Sequence, residues 1–380
     1  MTDVIVAGGG PAGALAAIIL ARAGARVQVF ERARFPRHKL CGDTLNPGAL
    51  AVLARHLDTT ALMAQSDVID GMVITGPGGV SVRGRYGRGL SGRAITREVF
   101  DQWLIAQAAA AGAAVAEGVA VRDVTSATEG GQTRVNGVSV QAGGSTASHL
   151  ARMIIAADGR RSSLAFGRGL ARQPAHPRRW AIGAYFTGVT GLTTAGEMHV
   201  RDGHYIGVAP LPGGLTNACL VVPHEQGDEA MKTPARVLDK FLAADRGLAA
   251  RFADARPAGP VAMLGPMAVD NLACGEPGLL LAGDAAGFID PMTGDGLRLA
   301  LAGAELAAAV TLDVLAGRVA LDQAHTVLAA RRHAAFQSKW RFNRTLRSLV
   351  SSPRGVTAAA LAARALPSVF ERMIRYAGDC

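Results

Sequence analysis

The chain has 380 residues and a formal net charge of +10, and 49% of its residues are hydrophobic while 18% are charged. This length and balance exclude a disordered chain and predict a globular enzyme of two or three domains. The four cysteines are far apart and show no metal-ligand spacing, which predicts a reduced, cytoplasmic protein and no metal site. We expect no signal peptide and no membrane-spanning helix, because a predicted strand begins at Val4 and no apolar run reaches about 18 residues.

The first predicted element is a short buried strand over residues 4–7, and a glycine-rich turn with the spacing G-x-G-x-x-G follows it. Gly8 permits the tight turn, Gly10 lets the backbone approach a pyrophosphate, and Gly13 lets the following helix pack closely on the strand. The free N–H groups of a helix N-terminus hold phosphates. The motif therefore predicts a dinucleotide site at Gly8, Gly10, Pro11, Ala12 and Gly13.

A helix over residues 14–24 and a second strand over residues 26–30 follow, and this strand ends at Glu31. A carboxylate at this position can accept hydrogen bonds from an adenosine ribose. A polar loop over residues 32–43 then lies at the carboxyl edge of the two strands, where a doubly wound sheet binds its ligands. The candidate contacts in this loop are Arg32, Cys41 and Gly42.

Helices and strands continue through the next hundred residues. Apolar periodicity predicts two helices, and Thr96 is placed to cap the second of them. The glycine and proline residues at 76–79 predict a hairpin between two strands. The predicted helices span 47–57 and 96–112, and the predicted strands span 67–75, 80–83, 114–124, 133–141 and 150–157.

A second β region has four strands joined by short turns, which predicts an antiparallel sheet. Asp202-Gly203 is a strong hairpin signal between the middle two strands. After a predicted helix over 234–251, the chain returns to the first domain with a buried strand over 278–283 and a long helix over 296–316. The four strands of the second region span 180–187, 197–201, 204–209 and 215–222.

These elements predict an α/β fold, namely a Rossmann-like nucleotide-binding domain with an inserted antiparallel β-sheet substrate domain and a C-terminal helical tail. The predicted substrate domain comprises residues 68–90 and 166–259, and the C-terminal helical segment comprises residues 331–380. The nucleotide-binding domain is discontinuous and comprises residues 1–67, 91–165 and 260–330.

Three polar signals follow buried strands and are expected to meet at one edge of the sheet: the glycine turn with Glu31, then Asp158-Gly159, then Gly283-Asp284. In this order and spacing, the set resembles the flavoprotein monooxygenases of the p-hydroxybenzoate hydroxylase fold. Within that superfamily it looks most like the geranylgeranyl reductase group. Two loops carry this second resemblance, Lys39-Leu40-Cys41-Gly42-Asp43 and Pro291-Met292-Thr293-Gly294-Asp295-Gly296.

The resemblance implies that the nucleotide-binding domain is an FAD-binding domain, that FAD is held non-covalently, and that NAD(P)H is the electron donor. It implies that Glu31 binds the ribose, that Asp284 binds a ribityl hydroxyl, and that Arg97 lies near the ribityl and phosphate groups. A helix cap is the alternative role for Asp284. The other cofactor contacts implied by the resemblance are Asp158, Gly159, Gly283, Gly294, Asp295 and Gly296.

Cys41 has two interpretations. The resemblance places its sulfur beside the flavin, whereas the alternative is a small residue tolerated in a turn, because position alone does not make a thiol reactive. Gly294 and Gly296 open a helix whose N-terminus would stabilise negative charge on the reduced flavin. The predicted catalytic residues are Cys41, Pro291, Gly294 and Gly296.

Residues 331–376 contain ten basic residues and one acidic residue, Glu371, and so carry most of the net positive charge. No nucleic-acid motif accompanies them, so we expect no specific nucleic-acid binding. The apolar residues of this segment are expected to dock on the main body, and a peripheral contact with a membrane or an acidic partner is the alternative. They are Phe336, Trp340, Phe342, Leu346 and Leu349.

Two functions fit these motifs. The first prediction is an FAD-dependent, NAD(P)H-driven monooxygenase that acts on an apolar or aromatic small molecule, since oxygen use is general in the superfamily. The alternative is an FAD-dependent reductase of carbon–carbon double bonds, because the loops at Cys41 and Thr293 resemble the reductase group. A flavin halogenase fits less well, since residues 180–185 do not match the W-x-W-x-I-P motif of that group, and a non-catalytic FAD-binding protein is the last alternative.

Overall fold

The computed structural model describes residues 2–87, 89–175, 178–223, 232–350 and 352–379. Its strands are β1 (Thr2–Ala7), β2 (Val27–Glu31), β3 (Thr44–Leu45), β4 (Asp67–Ile69), β5 (Gly71–Gly76), β6 (Val80–Arg85), β7 (Gly92–Ala94), β8 (Ala114–Glu117), β9 (Ala120–Glu129), β10 (Gln132–Ala142), β11 (Ser145–Ala156), β12 (Ala171–Arg172), β13 (Arg179–Thr187), β14 (Ala195–Val200), β15 (Tyr205–Leu211), β16 (Leu215–Pro223), β17 (Arg256–Pro257), β18 (Ala262–Leu264), β19 (Asp270–Asn271), β20 (Gly275–Glu276) and β21 (Leu279–Leu281). Its helices are α1 (Pro11–Arg22), α2 (Pro47–Ala54), α3 (Thr60–Ala64), α4 (Arg97–Ala110), α5 (Ser163–Gly167), α6 (Pro234–Ala244), α7 (Ala249–Phe252), α8 (Gly296–Leu315), α9 (Ala324–Val350), α10 (Pro353–Ala365) and α11 (Pro367–Gly378).

β1 lies at the centre of a parallel sheet with the strand order β21–β11–β1–β2–β8. Its side chains are buried on both faces: Val4 and Val6 pack with α1, α4 and α8, while Ile5 packs on the opposite side. Because parallel strands place their carboxyl ends at one edge, the loops after β1, β2, β11 and β21 meet there. The predicted Rossmann-like arrangement is confirmed.

An antiparallel layer of β9, β10 and β11 extends this sheet. β11 belongs to both the parallel sheet and the antiparallel layer, because residues 145–150 pair with β10 and residues 151–156 pair in parallel with β1. The prediction of one strand over 114–124 is wrong, because this segment forms β8 and the start of β9. Gly118 separates the two strands with a φ of 73°, a conformation that favours glycine.

The second sheet has the strand order β17–β13–β16–β15–β14–β5–β6. Strands β13, β16, β15 and β14 are antiparallel as predicted, and Asp202-Gly203 lies in the turn between β14 and β15. The sheet as a whole is mixed, because β5 joins β14 in parallel. Ile182 and its neighbours on one face pack on α6, while Met198 and Tyr205 on the other face lie towards the first sheet.

Two further predicted elements are each divided in the structure. Residues 67–75 form β4 and β5 in different sheets, because the chain turns at Asp70, whose backbone N–H and C=O bond to other segments. Residues 234–251 form α6 and α7, which are separated at Asp245. There the ψ of 116° is extended, and the carboxylate accepts a hydrogen bond from the Gly247 N–H.

The C-terminal helical segment packs onto both sheets. α9 lies beside α8 and carries the buried side chains of Phe336 and Lys339. α10 and α11 cover β6, where Ala360 and Ile374 pack against Val82. The side chains of Phe336, Ala360 and Ile374 in this basic segment therefore dock on the main body.

Candidate functional site

The three glycines of the turn after β1 have two different roles. Gly8 and Gly13 are needed for the turn to fold, whereas Gly10 leaves space for a ligand. Gly8 has a φ of 104°, and a Cβ there would lie 2.4 Å from the Ala157 carbonyl oxygen. A Cβ on Gly13 would lie 1.8 Å from the Gly8 carbonyl oxygen, so no residue with a side chain fits at this position. At Gly10 the nearest atom to such a Cβ is Arg37 Nη2 at 3.5 Å, and no side chain caps α1. The turn thus offers open space and free helix N–H groups to a pyrophosphate.

Glu31 joins the end of β2 to this turn. Its buried carboxylate accepts hydrogen bonds from the Gly9 N–H at 2.8 Å and from the Ala33 N–H at 2.9 Å. A carboxylate has further lone pairs for other donors, so Glu31 can orient the turn and still bind a ribose. Arg32, the neighbouring predicted contact, is exposed.

A cavity of about 210 Å³ lies between the carboxyl edge of the first sheet and the second sheet. Gly10, Gly159 and Asp284 follow three different strands and all line it, which confirms that the three polar signals meet at one edge. Sequence predictions account for much of its wall. The predicted residues that line it are Gly10, Pro11, Ala12, Cys41, Gly42, Arg97, Gly159, Gly283, Asp284, Pro291, Gly294 and Gly296.

One buried carboxylate holds two arginines at the Gly10 end of this cavity. Arg97, the first residue of α4, donates from Nε and Nη2 to Asp101, each at 2.8 Å. Arg37 Nη2 lies 3.1 Å from the same carboxylate. Asp101 thereby fixes two positive charges beside the space for a pyrophosphate. Arg97 is a predicted contact, whereas the sequence of the loop gives no signal that singles out Arg37.

Asp284 is the second residue of the short 3₁₀ turn Gly283–Ala286 and is half-buried in the cavity wall. Within the described part of the chain, its carboxylate makes no hydrogen bond and caps no helix, which counts against the alternative role. The charges of Lys39 and Arg160 act on it. Burial lowers the pKa of Lys39, whose proximity to Asp284 the sequence did not reveal. This carboxylate is thus available to a ligand hydroxyl.

Asp158 and Asp295 are predicted cofactor contacts, but their carboxylates bond to protein groups outside the cavity. Asp158 Oδ2 accepts a hydrogen bond from the Ser163 N–H at 3.0 Å, and Asp158 Oδ1 is buried without a partner among the described residues. Asp295 Oδ1 accepts from Asn46 Nδ2 at 3.0 Å, and Lys339 Nζ lies 3.5 Å from Asp295 Oδ2. Burial raises the pKa of both carboxyls, that of Asp295 to about 6. Neither side chain lines the cavity, so both shape loops at its border.

Cys41 lies in the cavity wall with Arg97 and Cys219. Burial raises the pKa of the Cys41 thiol and raises the pKa of Cys219 to about 12. Both thiols are therefore protonated at neutral pH, and Cys41 is not a thiolate nucleophile. Its position supports the interpretation that places its sulfur at the cofactor site.

A second cavity of about 200 Å³, mostly apolar, lies between the second sheet and the C-terminal helices. Gly42, Thr44, Met198 and Cys219 line both cavities, so the two are adjacent and share part of their walls. The sequence does not reveal this cavity, because only the fold shows which strands the C-terminal helices cover. The helix residues in its wall include Phe342, Leu346, Leu349, Ala360, Phe370 and Ile374.

The chain is similar to several reductases along most of its length. A family model described as an FAD binding domain matches residues 1–342. The menaquinone reductase of Mycolicibacterium smegmatis is 31% identical over 329 residues, which cover 80% of this chain and 75% of that protein. Digeranylgeranylglycerophospholipid reductase 2 of Methanopyrus kandleri is 30% identical over 330 residues, which cover 82% of this chain and 77% of that protein.

Solved structures share the fold. A geranylgeranyl bacteriochlorophyll reductase-like protein from Thermoplasma acidophilum has a TM-score of 0.76 and 23% identity, and the match covers 96% of this chain and 98% of that one. A myxobacterial chondrochloren halogenase has a TM-score of 0.81 and 24% identity, and the match covers 90% of this chain and 81% of that one. At this level of identity the likeness shows the fold alone.

Proposed function

We propose that this chain, which belongs to the FAD-binding family of flavin-dependent oxidoreductases, reduces carbon–carbon double bonds in a small molecule with a long apolar chain. The observation that carries the proposal is the apolar cavity beside the cofactor site, with Gly42, Met198 and Cys219 in the wall that the two share. An unsaturated hydrocarbon chain fits such walls, because it has no polar group that would need a partner.

The sequence alone favours a monooxygenase first and a double-bond reductase second. Two considerations support the opposite order. Relatives that are at least 30% identical are named as reductases of menaquinone and of digeranylgeranylglycerophospholipids. The likeness to halogenases is below 25% identity and concerns the fold alone. The monooxygenase remains the competing prediction.

The residues of the site fit FAD. Gly10 leaves room for the pyrophosphate, Arg37 and Arg97 supply positive charge, and Asp284 offers a carboxylate to a ribityl hydroxyl. α8 begins at Gly296, so its N-terminal N–H groups favour negative charge on the flavin ring. When bound, the flavin supplies the hydride, and we propose NAD(P)H as the source of its electrons.

The walls of the apolar cavity supply most of the substrate affinity in this proposal. Burial of apolar surface contributes roughly 0.8 kcal/mol for each CH₂ group. A chain of several isoprene units can therefore bind firmly without a charged anchor. The same walls exclude water from the reacting carbons, which matters because water competes for reactive groups.

We further propose that α10 and α11 bring the apolar cavity to an anionic membrane surface. Leu361 and Leu366 are 62% and 56% exposed near the turn between these helices. Arg354, Arg364 and Arg372 are exposed on the same two helices. Exposed apolar residues among basic ones are typical of helices that lie in a membrane interface. Over the described residues, no helix combines the length and apolarity needed to cross a bilayer.

Sedimentation with lipid vesicles tests this surface. We expect binding to vesicles that contain phosphatidylserine, and weaker binding after Leu361→Asp with Leu366→Asp. Equal binding to neutral vesicles, or no effect of the two substitutions, would reject the proposed membrane surface.

Among the described cysteines, Cys41, Cys219 and Cys274 are free thiols. This supports our proposal that the protein works in the reducing cytoplasm.

The mass of the product separates the two enzymatic functions. A reductase product gains two hydrogen atoms at the double bond, whereas a monooxygenase product gains one oxygen atom. With a geranylgeranyl lipid, NADPH and labelled oxygen gas, we expect the hydrogenated product without label. Incorporation of labelled oxygen would favour the monooxygenase instead.

A further inference from the structure

Asp43 is a buried carboxylate in the wall of the cofactor cavity, two residues after Cys41, and it was not among the predicted contacts. Its exposed fraction is 1%. Oδ1 accepts a hydrogen bond from the Arg97 backbone N–H at 3.2 Å, and Oδ2 accepts one from Asn217 Nδ2 at 2.6 Å. Asn217 also donates to the Cys41 carbonyl oxygen at 2.8 Å. The carboxylate is therefore fixed between the cysteine loop and the second sheet.

The backbone of Asp43 is held in an uncommon conformation. Its φ is 54°, and among the described residues Asp379 is the only other one that is not glycine and has a positive φ. Residues with a side chain rarely adopt such a backbone, although aspartate and asparagine tolerate it better than most, and sparsely populated conformations of this kind gather at functional sites. The fold thus holds a carboxylate at this cavity where glycine would be easier to accommodate.

Asp43 changes its protonation state near neutral pH. Burial raises its pKa to about 7, although the Tyr185 hydroxyl, the hydrogen bond from Asn217 and the charge of Arg97 lower it. The thiols of Cys41 and Cys219 also face it, and both are neutral at this pH because burial raises their pKa values. An acid with a pKa close to the working pH can both release and regain a proton during turnover.

Tyr185 connects this carboxylate towards solvent. Its hydroxyl lies close enough to Asp43 to lower the pKa of that carboxyl, and its side chain is only half-buried. Its ring contacts the exposed His38 edge to face, with the ring centroids 5.7 Å apart. A proton lost from Asp43 can therefore be replaced from water at this side of the cavity.

We propose that Asp43 is the proton donor for double-bond reduction and that Tyr185 links it to solvent, a role that depends on the proposed function. The double bond takes a hydride on one carbon and the Asp43 proton on the other, so its π bond is replaced by two C–H bonds. Asp43 is left as a carboxylate and regains a proton from water through Tyr185. Cys41, which the sequence predicts to be catalytic, keeps its proton more tightly because burial raises its pKa above the usual thiol value.

The substitution Asp43→Asn tests this role, because asparagine has the same shape and also tolerates a positive φ. We expect the variant to bind FAD and to accept electrons from NADPH as the wild type does. Its transfer to the alkene should slow by about 100- to 10,000-fold, the usual contribution of a general acid. The wild-type rate should fall as pH rises above about 7, the pKa of Asp43, and the variant should lose this dependence.

Three further variants separate a proton donor from a structural residue. Tyr185→Phe removes a hydroxyl that lowers the pKa of Asp43, so the fall in rate should move to higher pH. Cys41→Ser should leave the pH at which the rate falls unchanged. Asp245→Asn removes a buried carboxylate that is paired with Arg201 away from the cavity, and it should leave both rate and pH profile unchanged.

Unfolding by urea gives a readout that needs no turnover. The pKa of Asp43 is about 7 in the folded chain and about 3.9 in an unfolded one. The folded state therefore holds more protons between these values, and wild-type stability should fall as pH rises from 4 to 7. This fall should be smaller in Asp43→Asn, which has no carboxyl to ionise.

The possible results are distinguishable. Asp43 is not the donor if Asp43→Asn keeps the wild-type rate and pH profile while the wild type reduces alkenes, and the proposed function then stands. An identical dependence of stability on pH in both proteins would also reject the role, because Asp43 would not titrate in this range. A wild type that reduces no alkene without oxygen would overturn the proposed function and this role together.

Discussion

Lys339 Nζ lies 3.5 Å from Asp295 Oδ2, and this pair joins α9 to the loop that begins α8. Both side chains are almost completely buried, with exposed fractions of 3% for Lys339 and 1% for Asp295. Lys339 also lies 2.7 Å from Asp379 Oδ1 at the end of α11. One residue of the basic segment thus binds the predicted cofactor loop and the helix that closes the apolar cavity.

Loss of this lysine should destabilise the protein in a pH-dependent way. Lys339→Met leaves Asp295 buried without its cation, which typically costs about 3–5 kcal/mol in the free energy of unfolding. The pKa of Asp295 is already raised to about 6 by burial, and it rises further without Lys339. Asp295 is then largely neutral at pH 5 and must ionise at pH 8, so the loss should be larger at pH 8.

Urea unfolding at the two pH values measures this difference. Arg341→Met is the matched control, because Arg341 is an exposed cation on the same helix. It should change stability by less than about 0.5 kcal/mol at either pH. Equal losses for Lys339→Met at pH 5 and pH 8 would show that Asp295 does not determine the effect.

Two glycines of the turn should separate folding from cofactor binding. Gly10→Val places its side chain in open space next to Arg37, so the chain should fold but lose FAD because the pyrophosphate volume is filled. Gly13→Ala places a Cβ 1.8 Å from the Gly8 carbonyl oxygen, so it should disrupt the packing of α1 on β1. Circular dichroism reports folding, and absorbance of flavin released by acid reports FAD. A yellow Gly10→Val protein would refute the predicted pyrophosphate position.

Asp284→Ala should weaken FAD binding without loss of stability in the free protein. A hydrogen bond to a charged group contributes roughly 1.5–3 kcal/mol, which corresponds to about 10- to 100-fold in affinity. Quenching of flavin fluorescence measures this affinity. Asp322→Ala, an exposed aspartate elsewhere, is the control and should bind FAD normally. If Asp284→Ala binds FAD as tightly as the wild type, the carboxylate does not contact the cofactor.

A larger side chain at Ala360 should shorten the apolar cavity. Ala360→Phe would displace two or three CH₂ groups of a long substrate, and at roughly 0.8 kcal/mol each this costs tenfold or more in affinity. A geranylgeranyl substrate should therefore lose activity, whereas a geranyl substrate should keep it. Ala358→Phe, on the exposed side of α10, is the control. Equal effects on both chain lengths would argue against this path for the substrate.

Much of the cofactor edge could be predicted from sequence because its signals are local. The run from β1 through Gly13 to Glu31 contains its own strand, turn and helix signals. Asp284 could be placed with it because a polar residue directly after a buried parallel strand lies at the same edge. The types of the helices and strands were therefore predicted better than the points where a strand is interrupted. Interruptions such as those at Asp70 and Gly118 depend on how distant segments of the chain pair.

The remaining features depend on tertiary contacts. Arg37 has a role because Asp101, on another element, holds its guanidinium group. Asp43 has its unusual pKa because the second sheet buries it and brings Asn217 to it. Charge and composition predicted that the C-terminal segment would be basic and would dock. They could not predict that its apolar side would form the wall of a cavity.

The most direct test of the central claim is a single turnover without oxygen. The FAD-loaded protein is reduced by NADPH under strict anaerobic conditions and mixed with a geranylgeranyl lipid. We predict that the lipid reoxidises the flavin and that one double bond is hydrogenated for each flavin oxidised. A flavin that stays reduced until oxygen is admitted, followed by a product that carries an oxygen atom, would contradict the proposed reductase and support the monooxygenase.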